Sequence, residues 1–155
     1  MEDASVKKMW QDYLLSLGET AENTSKKYSA WYFCDNEEDA DELADLVIAG
    51  IKRATASLYL AYESEGEVLP TVGDHSIVTN WAGVAQCIIK TIKLNVVPFS
   101  DVSEAFAATE GEGDKSLAYW RTAHWHYFSR EMKELGREPS EEMLVLCEEF
   151  VVVFP

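Results

Sequence analysis

Residues 84–94 constrain the fold of this chain most, because VAQCIIKTIKL is one long run of β-branched and aliphatic side chains. Residues 74–79 form a second run of this kind, and residues 80–83 between them read Asn-Trp-Ala-Gly, which is typical of a turn. Two β-rich runs joined by a short turn predict a β-hairpin. Residues 57–60 and 147–154 are predicted to be further strands, the last one rich in Phe and Val.

Two amphipathic helices are predicted before the hairpin. Residues 4–17 carry one continuous apolar stripe at helical spacing. Asn36 is placed to cap a second helix, because three acidic residues follow it in the first turn, where the helix dipole favours negative charge. Gly50 is expected to end this helix.

Two more helices are predicted after the hairpin. Ser100 or Asp101 is expected to cap a short helix that runs through Thr109. Asp114 is expected to cap the next helix, over residues 115–135, with Trp120 and His124 on its apolar face among other residues.

Strands gathered in one part of the chain, with helices around them, predict the α+β class. The expected architecture is a small, mostly antiparallel curved sheet or β-barrel with helices packed around it. The sequence has 155 residues, with no repeat and no long linker. We therefore expect residues 1–155 to form a single domain.

The charge of the chain limits its partners. Thirteen basic residues stand against 28 acidic ones, which gives a formal net charge of −15. A protein that binds extended duplex nucleic acid needs a broad basic surface, so we expect this protein not to bind extended duplexes. A local basic cleft is compatible with this net charge. We expect no membrane partner, because no apolar run approaches the roughly 18 residues of a membrane span. Three cysteines without a Cys-x-x-Cys pattern favour free thiols in the cytoplasm.

The turn at residues 49–57 carries the first candidate for chemistry. It places Lys52 three residues before Thr55, and a lysine beside a hydroxyl group is a plausible pair for nucleophilic catalysis if the lysine is desolvated. From these residues alone, a solvated lysine next to a threonine that starts a strand is the more common arrangement. Both interpretations stay open at this point.

The second candidate is the loop at residues 110–114, which reads Glu-Gly-Glu-Gly-Asp. Its three acids could hold Mg²⁺ or Mn²⁺, but solvated loop carboxylates are more common, so we predict no metal and no cofactor. His124 and His126 cannot chelate zinc as a pair, because residues two apart on a helix do not face each other. We expect His124 in the core or at a pocket edge, and His126 in solvent.

Taken in order, these segments resemble the ASCH (ASC-1 homology) family, whose fold is similar to the PUA domain. The family turn Gly-x-Lys-x-x-Thr/Ser corresponds to Gly50, Lys52 and Thr55. Gly73-Asp74 before a strand also fits, and residues 97–102, 110–117 and 120–121 match a bacterial subgroup. The resemblance implies a barrel of five to six strands, with a cleft between the two candidate segments.

The resemblance also implies a function connected with RNA or its components. Some small bacterial members are amidohydrolases that remove the acetyl group from N4-acetylcytidine with a lysine, a threonine and a glutamate. The corresponding catalytic residues are Lys52, Thr55 and Glu110. In this hypothesis Thr55 attacks, Lys52 takes its proton, and Glu110 positions the lysine or passes the proton to the leaving amine. A glutamate in direct contact would raise the lysine pKa and oppose the role as a base.

Five further residues are candidates for binding the substrate, by their place in or near the two segments: Trp31, Ser57, Glu112, Ser116 and Trp120. Either tryptophan could stack on a base, although filling the core is the more common role. The main hypothesis is a hydrolase for a nucleoside-like amide. The alternatives are a module or ribonuclease that takes short single-stranded RNA, and a non-catalytic interaction domain.

Overall fold

The computed structural model of the protein describes all residues, 1–155, as an α+β fold. Five strands form one sheet in the order β1-β3-β4-β5-β2. The strands are β1 Tyr28–Trp31, β2 Ala54–Leu58, β3 His75–Thr79, β4 Ala85–Pro98 and β5 Leu144–Phe154. The helices are α1 Ala4–Ser16, α2 Glu37–Ile48, α3 Tyr59–Glu65, α4 Glu104–Glu110 and α5 Leu117–Glu134, with a 3₁₀ turn at Phe99–Asp101.

The sheet is mostly antiparallel, as expected, but it is open. β3 pairs with β4 and β2 pairs with β5 in antiparallel fashion, whereas β1 pairs with β3 in parallel. The expectation of a closed barrel was wrong, because β1 and β2 are the two ends of the strand order and each has one neighbour. Closure would require a hydrogen-bonded ladder between these short edge strands.

The chain forms two compact units, and β4 and β5 run through both of them. The first unit comprises residues 1–50, 72–91 and 150–155. Its helices cover opposite faces of the predicted hairpin: α1 packs on Ile77 and Ile88, and α2 packs on Val78 and Cys87. This arrangement follows from the period of two in a strand, which sends adjacent residues such as Ile77 and Val78 to opposite faces.

The second unit comprises residues 51–71 and 92–149. Its core joins Phe99, Trp120 and Phe128 to Val145 and Cys147 of β5, all of them buried. The apolar stripe predicted for α5 is therefore the face that packs against the sheet and α4.

Several helix boundaries agree with the sequence, and others needed correction. Asn36 caps α2 by accepting from the backbone N–H of Asp39. The cap of α4 is Ser103, and the 3₁₀ turn occupies the positions where the cap was expected. The cap of α5 is Ser116, whose side chain accepts from the backbone N–H of Tyr119. Asp114 lies in the turn before the helix, where it accepts from the N–H of Ser116.

The strand predicted over residues 57–60 was also wrong in its second half. β2 ends at Leu58, and Tyr59–Glu65 is a short helix whose Ala61 is buried in the core of the second unit. A short apolar run does not distinguish a strand from a buried helix by periodicity alone. The contact with that core selected the helix.

A backbone contact fixes the Lys52 turn against the end of α4. The N–H of Arg53 donates to the carbonyl oxygen of Thr109 at 2.9 Å. Gly111 ends α4 with a φ of 74°, and a Cβ atom there would lie 2.2 Å from the carbonyl oxygen of Ile51. Glycine is therefore required at position 111 for both its conformation and its lack of a side chain.

We expect Gly111→Ala to destabilise the protein more than Gly136→Ala. Gly136 also has a positive φ, 72°, but no atom lies within 4 Å of the position of its Cβ. Both variants incur the cost of a left-handed non-glycine residue, about 1–2 kcal/mol. Gly111→Ala should add roughly 1–3 kcal/mol from the collision with the turn. Denaturant unfolding of the two variants measures the difference, and equal losses would contradict the contact.

Candidate functional site

Lys52 is buried, with 1% of its surface exposed. Its Nζ atom donates to the carbonyl oxygen of Ala54 at 2.8 Å, to Oε2 of Glu110 at 3.1 Å and to Oε2 of Glu112 at 2.8 Å. An ammonium group has three N–H donors, so these bonds use all of them. The sequence therefore buries this cation by surrounding it with acceptors from its own turn, from the end of α4 and from the following loop.

Glu110 is the fixed anion of this cluster. It is 2% exposed, and its Oε2 atom receives the Lys52 bond. Its Oε1 atom accepts from the indole N–H of Trp120 at 2.5 Å and lies 3.4 Å from Nε2 of His124. Burial opposes the charge of Glu110, but Lys52 and His124 outweigh burial and hold the pKa of this carboxyl well below its ordinary value.

His124 is held by the same tryptophan. Its ring stacks on Trp120 with centroids 4.2 Å apart, and its Nδ1 atom lies 2.9 Å from the carbonyl oxygen of Trp120. Since a carbonyl oxygen can only accept, Nδ1 carries a hydrogen, and Nε2 can donate to Glu110 only in the imidazolium form. Burial lowers the pKa of His124, but its bond to Glu110 and the charges of both glutamates reverse that effect and raise the pKa above its ordinary value.

Glu112 differs from Glu110 although both accept from Lys52. The side chain of Glu112 is 21% exposed, so it is the member of the cluster that meets solvent. Burial and the negative charge of Glu110 raise its pKa above the ordinary value, against the opposing effect of Lys52. The two carboxyl groups therefore have pKa values shifted in opposite directions.

Lys52 carries its proton in this arrangement. Burial favours the neutral amine, but the adjacent charges of Glu110 and Glu112 outweigh it, and the pKa of Lys52 is raised. A general base needs a pKa lowered toward the working pH. The geometry thus gives Lys52 the properties of a fixed cation, in contrast to the neutral base of the sequence hypothesis.

The cluster contains groups that bind metals in other proteins. Ligand atoms of Glu110, Glu112 and His124 lie within 4.8 Å of one another. However, the Lys52 ammonium is bonded to both carboxylates, and the imidazolium form of His124 offers no lone pair at Nε2. A cation would have to displace both positive charges, so we assign no metal to this cluster.

A groove of about 280 Å³ lies nearby in the second unit, between α4 and strands β4 and β5. Thr109, one residue before Glu110, lines this groove, and so does the buried Cys147. Burial raises the pKa of the Cys147 thiol to about 12, helped by the negative charges of Glu110 and Glu149. The groove is not lined by Lys52, Thr55, Glu110 or Glu112, so it is a feature of the second unit separate from the buried cluster.

Comparison with known proteins identifies the family. The family model described as the ASCH domain matches residues 29–154. The chain belongs to the ASCH domain family. Members of this family are generally RNA-binding or hydrolase-like. α1 lies before the matched residues.

Solved structures support the same assignment. The crystal structure of an ASCH domain from Lactobacillus crispatus JV V101 is 43% identical with a TM-score of 0.90, over 99% of this chain and 97% of that one. A crystal structure of a protein from Enterococcus faecalis V583 is 30% identical with a TM-score of 0.85, over 97% of this chain and 88% of that one. No curated protein sequence matches. The open α+β sheet is consistent with the PUA-like fold of ASCH domains.

The structure brings together two of the three residues named by the ASCH resemblance. Lys52 and Glu110 are in direct contact. Thr55 lies on β2, half-buried and paired with Glu148, and its side chain alternates to the face opposite those of Ala54 and Ala56. Because Lys52 is protonated, it has no lone pair for a proton from Thr55, and it could act as a base only after losing one of the protons that it donates to Ala54, Glu110 and Glu112.

The candidate substrate-binding residues have separate surroundings. Trp31 belongs to the first unit, where its ring packs edge-on against Phe33. Ser57 accepts from the hydroxyl of Tyr62, and Ser116 caps α5. The expectation that Trp120 could stack on a base needs correction. This residue is 2% exposed, His124 covers one face of its ring, and it serves as a donor to Glu110.

Sequence reasoning did not assign His124 to the site. It recognised that His124 lies on the apolar face of α5, and His124 is indeed buried whereas His126 is exposed. The missed signal was the i, i+4 spacing of Trp120 and His124, which puts both side chains on one helix face above Glu110.

No helix has the length and apolar character needed to cross a membrane.

We expect Lys52→Met to destabilise the protein by about 3–5 kcal/mol at neutral pH, because it leaves two adjacent buried carboxyl groups without their cation. The loss should shrink at low pH, where the carboxyl groups become neutral. Lys8→Met is the control, since Lys8 forms an exposed pair with Asp12 and such pairs contribute only about 0–1 kcal/mol. Denaturant unfolding at pH 4 and pH 7 measures both variants. A loss for Lys52→Met no larger than the control would contradict the buried ion cluster.

His124 should make folding stability depend on pH. A group whose pKa is raised in the folded state contributes stability below its unfolded pKa of 6.5, and this is lost as the pH rises through the folded value. The free energy of unfolding should therefore fall above pH 6.5 in the wild type, and this component should be absent in His124→Gln. His126→Gln, at an exposed position of the same helix, should keep it. Parallel pH curves for the wild type and His124→Gln would rule the effect out.

Proposed function

We propose that this ASCH protein is a hydrolase that cleaves the amide of a small modified nucleoside, with N4-acetylcytidine as the substrate suggested by the family resemblance. The proposed catalytic residues are Lys52, Thr55 and Glu110. The observation that carries the proposal is a lysine with 1% exposure bonded to two carboxyl groups, one of which reaches solvent. Buried charges with shifted pKa values are concentrated at functional sites.

The electrostatics of the cluster fit amide hydrolysis when Lys52 acts as a cation. In amide hydrolysis the carbonyl oxygen becomes negative in the transition state, and a fixed positive donor stabilises it. Lys52 has the charge and the burial for this role, and Glu110 holds it in place. Thr55 supplies the attacking hydroxyl in our proposal, as the family pattern Gly50-x-Lys52-x-x-Thr55 suggests.

The charge of the molecule favours a small, uncharged substrate. The net charge of −15 opposes a long phosphate backbone but places no such penalty on an uncharged nucleoside. Short single-stranded RNA is the competing ligand class, given the RNA-binding character of the family.

Conversion of N4-acetylcytidine to cytidine and acetate, followed by chromatography, tests the proposal. We expect turnover by the wild type, and losses of about 10²–10³-fold in kcat for Lys52→Ala, as for removal of an oxyanion donor. Thr55→Ala should be inactive, whereas Thr55→Ser should retain activity because it keeps the hydroxyl. Lys8→Ala, an exposed change on α1, should match the wild type.

Binding measurements separate the remaining outcomes. A ligand at 100 times its Kd should stabilise the protein by about 2.7 kcal/mol, so cytidine or N4-acetylcytidine should raise the Tm. No turnover and no Tm shift, together with salt-dependent retention of single-stranded RNA, would replace the hydrolase with an RNA-binding module. Absence of all three would favour a non-catalytic interaction domain.

A further inference from the structure

The two glutamates of the cluster have unequal hydrogen-bond environments. Glu110 receives Lys52 on one oxygen, and Trp120 and His124 on the other. Its donors come from two elements, the Lys52 turn and α5, and they leave it enclosed at 2% exposure. A carboxylate with donors on both oxygens is stabilised as an anion and is a poor place for a proton.

Glu112 has the opposite environment. Its Oε2 atom accepts from Lys52 at 2.8 Å, and it lies beside the negative charge of Glu110. Its side chain is the part of the cluster that reaches solvent, at 21% exposure. The charged groups that face it are therefore Lys52 from the turn, Glu110 from α4 and His124 from α5.

Lys52 cannot carry the moving proton without loss of its surroundings. As an ammonium it satisfies three acceptors, and deprotonation would leave two carboxylates facing a neutral amine. The imidazolium of His124 is likewise tied to Glu110 and to the backbone of Trp120. By elimination within the cluster, the proton that can move to and from a bound molecule belongs to Glu112.

We propose that Glu112, rather than Lys52 or Glu110, is the general acid–base of this site. This inference rests on the proposed function, since it assigns the proton transfer of that hydrolysis. The carboxylate of Glu112 takes the proton from the attacking hydroxyl as the new C–O bond forms. Glu112 then gives that proton to the amide nitrogen as the C–N bond breaks, cytidine leaves, and the acetyl group stays on Oγ of Thr55 as an ester. A water molecule then attacks this ester. Glu112 takes a proton from the water as its oxygen bonds to the acyl carbon, and returns the proton to Oγ of Thr55 as the ester bond breaks and acetic acid leaves.

Protonation of Glu112 has a second consequence for the same step. A neutral carboxyl group is a weaker acceptor than a carboxylate, because charge-assisted hydrogen bonds are about twice as strong as neutral ones. When Glu112 takes the proton, its bond to Lys52 weakens, and one N–H of Lys52 becomes able to donate to the oxyanion. The proton transfer thus releases the stabilising donor at the moment when the negative charge develops on the substrate.

The test is the pH profile of kcat/KM for N4-acetylcytidine in Glu112→Gln and Glu110→Gln. A general base must be ionised, so the wild-type rate should fall on the acid side as Glu112 becomes protonated. Glu112→Gln should lose about 10²–10⁴-fold in kcat and should also lose this acid limb. In Glu110→Gln the limb should remain but shift to lower pH, because the negative neighbour of Glu112 is gone.

Asp114→Asn is the matched control from the same loop. Asp114 is exposed and accepts from the N–H of Ser116, which an asparagine oxygen can also do. This variant should keep the wild-type rate and profile. The assignment would be overturned if kcat of Glu112→Gln stayed within about twofold of the wild-type value. It would also be overturned if the acid limb were lost in Glu110→Gln and kept in Glu112→Gln.

A measurement without substrate separates this inference from the proposed function. With ¹³C-labelled glutamate, NMR should show two carboxyl groups that titrate above the ordinary range of glutamate, Glu112 and Glu131, since burial and neighbouring glutamates raise the pKa of Glu131 to about 7. One of the two signals should be absent in Glu112→Gln and shifted in Glu110→Gln, whereas the Glu131 signal should stay in both, with the fold of each variant checked by circular dichroism. If the wild type does not hydrolyse N4-acetylcytidine but the Glu112 signal is present, the substrate is wrong and the location of the proton stands. If both signals are unchanged in Glu112→Gln, the inference fails whether or not the protein is a hydrolase.

Discussion

A buried lysine ammonium must keep its hydrogen bonds, because an unpaired charge in a protein interior is far costlier than one in water. Lys52 meets this requirement with one acceptor from its own turn, one from the last residue of α4 and one from the loop that follows. The segments are more than 50 residues apart in sequence, so the ammonium can be buried only when both are in place. The rest of the second unit holds the Lys52 turn and the end of α4 in contact.

The backbone makes that contact possible. Gly111 allows α4 to end directly against the Lys52 turn, and the bond from Arg53 to Thr109 sets the distance. Gly111, in the loop at residues 110–114, therefore has a structural role that is separate from the chemistry of the acidic residues beside it. The approach at Gly113 is of another kind, since a Cβ atom there would lie 2.5 Å from the ring of Tyr119, which is an exposed side chain and not backbone.

The difference in burial between Glu110 and Glu112 explains why the pKa values of these two chemically identical side chains shift in opposite directions. Glu110 lies beneath Trp120 and His124, which stabilise its charge, whereas Glu112 lies at the surface of the cluster and experiences the repulsion of Glu110. With His124 protonated, two positive and two negative charges balance. Such a cluster is stable as a unit, and its outermost carboxyl group is the position where a proton can be exchanged at the least electrostatic cost. An acidic protein surface is compatible with this arrangement, because the charges of the cluster balance one another.

The sequence by itself determined the α+β class, the β3–β4 hairpin, the stripes of α1 and α5, and the two segments that contain Lys52 and Glu110. These features depend on local periodicity, on glycine positions and on short motifs, all of which can be recognised in the sequence. Only the tertiary structure decided that the sheet stays open, that Ser103 and Ser116 rather than earlier residues cap their helices, and that His124 joins the site. It also decided the charge of Lys52, since a pKa depends on burial and on neighbours that lie far away in sequence. Motifs specify which groups are present, whereas desolvation and distance specify what those groups can do.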